Sequence, residues 1–353
     1  MKKAKLSIFA IVFIVEVGLM LMYFNISKPR LLILHSYQTD YSWVRDVNAG
    51  INRVLKNKSH YFVRWHYLDT KRHPWREYKK NAGLIARKMI DKWQPDVIIA
   101  ADDDAQEYVT KYYINKPNIK IVFTGVNNEL KTYGFDKAEN VTGVLERVPI
   151  AAIIDGLLTF SQEHAQGHAQ EYVNSAPLRV FFMGDTSESV KGDERWVKSF
   201  NWSPITLVGS RLVGSMHDLQ ETLKEASDSA DYIVTANYRK IARTPGSSEL
   251  VPPKEVVKYI VKNSKIPVIG TNSFFSEDGG MLAIATSPLE QGEVAARMAV
   301  DIIENKKRPR DIPVVNSSKC VIAMNTAVLK EKNFDVPPVY ESSAIANNLY
   351  YTK

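Results

Sequence analysis

Residues 96–123, DVIIAADDDAQEYVTKYYINKPNIKIVF, decide the fold. Asp96 to Ala100 (DVIIA) and Ile119 to Phe123 (IKIVF) are apolar, β-branched runs of strand length, and a run without polar alternation suits a strand buried on both faces. Between them Asp103 to Tyr113 has room for a crossover helix. The segment therefore reads as one strand–helix–strand unit of a parallel sheet.

Working outward, the alternation recurs on both sides. Arg30 to His35 (RLLILH) is another buried strand, followed by Val44, Val47, Ile51, Val54 and Leu55 at helical spacing. Tyr61 to Leu68 (YFVRWHYL) is a strand, and a helix through Ala82, Ile85, Met89 and Trp93 ends at Pro95. A second series starts near residue 150: helix 151–160, strand Leu178 to Phe182, helix 189–200, strand 205–213, helix 216–229, strand Asp231 to Thr235, helix 253–262 and strand Ile266 to Gly270. This predicts an α/β chain of two doubly wound parallel-sheet lobes. A short strand at 281–285, an apolar helical face of Ala295, Met298, Ala299, Ile302 and Ile303, and a strand at 321–324 complete the series. If that helix packs back on the first lobe, the chain crosses more than once and the connection is a multi-stranded hinge. The expected division is 30–147 plus about 287–314 for the N-terminal lobe, and 148–286 plus about 315–353 for the C-terminal lobe. The polar stretch Ser161 to Ala176 reads as an exposed connection or helix extension.

Of 353 residues, 45% are hydrophobic and 24% charged, enough for a sizeable core. The single cysteine, Cys320, excludes an internal disulfide and a cysteine zinc site. The formal charge is +7, but residues 1–30 hold five bases (Lys2, Lys3, Lys5, Lys28, Arg30) against Glu16, leaving +3 for the body and little to attract nucleic acid. Leu6 to Phe24 is an apolar run behind three lysines, interrupted only by Glu16 and Gly18, and at about 1.5 Å per residue it nearly crosses a bilayer core. Residues 1–29 are thus expected to be a signal anchor or signal peptide, with one N-terminal transmembrane helix over 6–24 in the inner membrane and the body on the periplasmic, extracytoplasmic side. Tyr23 to Ser27 offers no small-x-small cleavage pattern, which favours a retained anchor.

Several stretches carry a resemblance: LLILHSYQTDYSW ending at Trp43, Leu68 to Arg72 (LDTKR), Asp96 to Ala105 (DVIIAADDDA), Val122 to Asn128 (VFTGVNN), Ala283 to Ala296 (AIATSPLEQGEVAA), Asp311 to Val314 (DIPV) and Met324-Asn325. In this order they resemble the ABC-transporter substrate-binding family, and also the extracellular sensor modules of histidine kinases. The resemblance implies the type I periplasmic binding protein fold and a small-molecule ligand. Its implied partner is an ABC permease or, alternatively, a membrane receptor kinase or cyclase read by a ligand-sensing subunit. The lipobox cysteine of tethered members is missing.

In open α/β sheets ligands bind beyond the carboxyl ends of the strands. Those positions are Ser36 and Tyr37 after the first strand, Asp102 and Asp103 after the third, and Thr124, Gly125, Val126 and Asn127 after the fourth. The second lobe adds Gly184 and Asp185, then Asn237, then Asn272 and Ser273. Small and polar residues suit a cleft that hydrogen-bonds a solute. Each also has a plainer use: Ser36 as a cap, the acidic run as a helix start, Gly125 as a left-handed turn, Asp185 as a cap. His164 and His168 stand at metal-capable spacing, yet no third ligand is near and a solvated face is the better reading. No phosphate loop, dinucleotide fingerprint or nucleophile elbow is present, so neither cofactor, metal nor catalytic residue is expected. With the resemblance, which implies a binding protein, the expected function is non-enzymatic: an exported protein that closes around a small solute, such as an amino acid or a related amine or aromatic molecule, and delivers it to an importer.

Overall fold

The buried apolar runs become adjacent parallel strands. The computed structural model describes residues 8–26, 28–166 and 177–352. After helix α1 (Ile8–Ile26) come β1 (Arg30–His35), α2 (Ser42–Leu55), β2 (Phe62–Tyr67), α3 (Arg76–Trp93), β3 (Val97–Ala101), α4 (Asp102–Tyr108), β4 (Lys120–Val126) and β5 (Val141–Leu145). The second lobe holds α5 (Ile150–Gln166), β6 (Arg179–Asp185), α6 (Glu188–Ser199), β7 (Thr206–Val213), α7 (Met216–Ser229), β8 (Tyr232–Thr235), α8 (Pro253–Asn263), β9 (Val268–Gly270), α9 (Phe274–Glu277) and β10 (Leu282–Thr286). Then follow α10 (Pro288–Glu304), β11 (Val315–Asn316), β12 (Cys320–Asn325), α11 (Thr326–Glu331), α12 (Pro338–Ala346) and β13 (Tyr350–Tyr351).

The first sheet has the order β11-β5-β4-β3-β1-β2 and is parallel throughout. The second has the order β13-β12-β10-β9-β8-β6-β7, and its β10–β12 pair is antiparallel. Side chains alternate across each strand, so Leu31, Ile33 and Ile99 pack under α2 and α10 while Leu32, Leu34 and Ile98 pack under α3 and α4. The α2–α10 contact is unusually close. A Cβ on Gly50 would stand 2.1 Å from the Leu289 carbonyl oxygen, and one on Gly292 would stand 2.1 Å from that of Val47.

The chain passes between the sheets three times, after β5, after β10 and after β11. Because β11 pairs with Val144 and Leu145, the last passage falls a few residues beyond position 314. The three links are bonded together: Thr286 Oγ1 donates to the Arg147 carbonyl (2.9 Å), the Ser287 N–H to the Lys319 carbonyl (3.2 Å), and the Ser318 hydroxyl and Lys319 N–H to the Glu290 carboxylate (2.6 and 2.8 Å).

The transmembrane expectation over residues 6–24 finds no support in the described residues. The apolar run does form α1, but among the described residues no helix is long and apolar enough to cross a membrane. Of the Ser161 to Ala176 stretch, α5 takes the part up to Gln166, while residues 167–176, with His168 and the His164 side chain, lie outside the described residues.

Candidate functional site

The carboxyl ends of both sets of strands face each other across the gap between the lobes, and the lobes are closed. The Asn127 side-chain N–H, on the loop after β4, donates to Asp193 Oδ1 on α6 at 2.8 Å. The next residue, Asn128, accepts from Arg195 through Oδ1. Gly192 permits this approach, since a Cβ there would meet the Asn127 carbonyl carbon at 2.7 Å. Between the lobes remains a cavity of about 20 Å³, room for about one water. Tyr37, Tyr41, Trp43, Lys71, Asp102, Asn127 and Glu146 line it from the first lobe and hinge; Ser189, Asp193, Asn237 and Asn272 line it from the second.

Its walls are aromatic and charged. Tyr37 and Tyr41 pack edge to face at 5.5 Å between ring centroids, and Tyr41 reaches across to Phe274 at 5.6 Å. The Lys71 ammonium sits 4.4 Å above the Tyr37 ring, and the Arg239 guanidinium 5.1 Å from the Tyr41 ring. Lys71 is 4% exposed, and burial lowers its pKa against the opposing fields of Asp185 and Asp102. Asp102 is 3% exposed, and burial pushes its carboxyl well above the ordinary range although Lys71 pulls the other way. Its backbone is left-handed, φ 65°, a conformation that aspartate and asparagine tolerate better than most side chains. Gly125, also left-handed at φ 64°, makes room: a Cβ there would crowd Asp102 Oδ1 at 3.1 Å and the Trp43 ring at 3.5 Å. Asp102 Oδ2 and the Trp43 indole N–H are buried near each other without reaching hydrogen-bond geometry with any partner. Such atoms are costly to bury unless something completes them. Glu146 is likewise pushed well up by burial, then by Asp193 and Asp102. Among the described residues no group of three His, Cys, Asp or Glu side chains stands close enough to hold a metal ion.

Of the residues expected at the strand ends, Tyr37, Asp102, Asn127, Asn237 and Asn272 line the cavity. The others are used inside their own lobes. The Ser36 hydroxyl donates to the Ala101 carbonyl (2.7 Å) and accepts from the Ala105 N–H (2.8 Å), tying β1 to β3 and α4. Asp103 accepts from the Asn127 and Asn128 N–H groups and the Tyr133 hydroxyl, which makes it a lobe-internal anchor. Thr124 and the Gly125 N–H bond to Gln291 on α10, and Val126 is core. Gly184 is packed under Val190, Asp185 accepts from the Ser187 and Lys240 N–H groups, and Ser273 starts α9. Lys71, Glu146, Ser189 and Asp193 were not singled out by strand-end reasoning; LDTKR, which holds Lys71, was visible only as part of the family resemblance.

Asp193 makes closure sensitive to pH. Burial raises its pKa from 3.8 to about 7 in the closed form, with the Asn127 hydrogen bond opposing. The closed form therefore holds this proton more tightly than a solvated carboxylate does. Its contribution to closure is full below about pH 4 and is lost as pH rises through 7. Small-angle scattering of ligand-free protein is expected to show a smaller radius at about pH 5 than at about pH 8. Asp193→Asn should flatten the difference, and a wild-type radius constant over that range would refute the reading.

Residues 185–342 match the family described as ABC transporter substrate binding protein. No curated protein matches the sequence. Among solved structures, the ABC domain in complex with L-Trp from Streptococcus pneumoniae superposes with a TM-score of 0.62 at 14% identity, over 89% of this chain and 98% of that one. A ligand-free, open substrate binding protein with adhesive properties from Clostridium difficile gives 0.62 at 17% identity, over 92% and 99%. A conserved domain protein from Vibrio cholerae gives 0.60 at 15% identity, over 90% and 98%. Residues 185–342 are thus similar in sequence to the ABC transporter substrate binding proteins, and both lobes share the fold of these solved structures.

Proposed function

We propose that the chain is the extracytoplasmic solute-binding component of an ABC importer, without catalytic chemistry, and that it closes around a small amine-bearing solute, an amino acid or a related aromatic amine. The observation that carries this reading is the pair of buried, incompletely satisfied charges in one cavity. Asp102 Oδ2 has no hydrogen-bond partner, and the Lys71 ammonium rests on a ring rather than on a carboxylate. A solute ammonium completes Asp102, with Glu146 and Asp193 beside it; a solute carboxylate completes Lys71; and the Tyr37, Tyr41 and Trp43 rings take an apolar side chain. The complex with L-Trp of the Streptococcus pneumoniae relative supports the same class.

Lobes that part admit the solute, and only the closed form lets both sides contact it. That difference in affinity shifts the equilibrium toward closure, and the closed form is what a permease reads. The test is a thermal-shift screen of the standard amino acids and aromatic amines. A true ligand at a hundredfold excess over its Kd adds about 2.7 kcal/mol of stability. Asp102→Asn keeps a residue tolerant of the left-handed backbone while removing the charge, and it should weaken binding roughly tenfold or more. A ligand bound equally well by wild type and Asp102→Asn would place the site elsewhere.

A further inference from the structure

Outside the inner cavity, and separated from it by the hydrogen bonds of Asp103 with Asn128 and Tyr133, the lobes enclose a second crevice of about 530 Å³. Its first-lobe wall carries Arg76 and Lys79 of α3, and Lys240 faces them from the second lobe. Charges here are unevenly matched. Lys79 is buried against Asp104 at 2.8 Å, Glu107 is taken by Lys111, and Glu188 by Lys191. Asp103, which also lines the crevice, is held by the neutral donors of Asn127, Asn128 and Tyr133, while Arg76 and Lys240 have no ion pair among the described residues, so two cations from opposite lobes line one crevice against that single carboxylate.

The charges around Lys240 show the same imbalance. Its pKa is lowered to about 8, chiefly by burial and then by Lys79 and Lys71, with Asp104 and Asp185 opposing. Asp104, in turn, lies below the ordinary carboxylate range: burial pushes it up, but Lys79 and Lys240 together outweigh that. One carboxylate is thus shared between two ammonium groups, and the local charge invites a second anion.

We propose that the outer crevice is a subsite for an anionic group, a carboxylate or a phosphate, held by Lys240 from one lobe and by Arg76 and Lys79 from the other. Bound there, the group bridges the lobes and adds to closure independently of the solute held in the inner cavity. This extends the importer reading and rests on it only for the link to transport; the subsite itself stands on the crevice.

The test titrates the full chain with glutarate and, separately, with inorganic phosphate, by calorimetry. Saturable one-to-one binding of either is expected, weakened about tenfold in Lys240→Gln and retained in Lys240→Arg, with circular dichroism unchanged. Asp102→Asn should leave it intact, so failure of the inner site and failure of this one are told apart. Glutarate affinity should also fall as pH rises through about 8, where Lys240 loses its proton, while glutarate itself stays doubly charged. The response to glutarate against phosphate names the anion. No saturable binding of either, or equal binding by Lys240→Gln, would overturn the proposal, an adventitious ion being then the only reading of any heat observed.

Discussion

Gly192→Ala is expected to hold the lobes apart and to weaken solute binding by roughly ten- to a hundredfold while the fold stays intact. The new methyl group would stand 2.7 Å from the Asn127 carbonyl carbon and 2.8 Å from its oxygen. Those are backbone atoms, which cannot swing aside as a side-chain tip can. Closing over that overlap would cost about 1–3 kcal/mol, and the Asn127–Asp193 hydrogen bond would go with it. Gly192 lies within α6, so in the open form alanine improves the helix by up to about 1 kcal/mol. The two effects have opposite signs. The melting temperature of ligand-free protein should hold or rise as affinity falls, and scattering should report the larger, open radius. Wild-type affinity in this variant would show that α6 and the 127–128 turn do not meet in the bound state.

Gly292→Ala is expected to damage stability instead. Its Cβ would lie 2.1 Å from the Val47 carbonyl oxygen and 3.0 Å from the Ile51 N–H nitrogen, so α2 and α10 would have to separate along a fully buried seam. Overpacking of this kind costs about 3 kcal/mol, several times what alanine's helix preference returns. For a chain of 353 residues that is a fall of roughly 4 °C in melting temperature. Gly50→Ala, opposite it, should behave alike because it meets Leu289 in the same way. A change of less than about 2 °C in either variant would mean that the helices do not cross this closely.

The strands most legible in the sequence were those whose runs are apolar throughout, such as Ile98-Ile99-Ala100 and Ile121-Val122-Phe123, because burial on both faces leaves no polar residue to confuse the pattern. β5 was not read, since VTGVL is short and interrupted by glycine, and β11 and β13 are two residues each, too brief to have a period. The site was legible only where it follows the strand-end rule. Asp193 comes from a position inside α6, Glu146 from the hinge after the unread β5, and Lys71 from the loop after the edge strand β2. Conversely Ser36 and Asp103 stand where the rule points but are spent on bonds within their lobe. No local pattern distinguishes a polar side chain turned into a cleft from one turned back on its own backbone.

The three bonded links between the lobes have a kinetic meaning. A single linker would let two bodies twist and swing freely, whereas three short links, joined by Thr286, Glu290 and the 317–319 turn, leave one soft rotation. Escape of an enclosed solute must then follow that rotation, because no independent sideways motion uncovers the cavity. The dissociation rate constant of an enclosed solute is then capped by the rate at which the lobes open about these links.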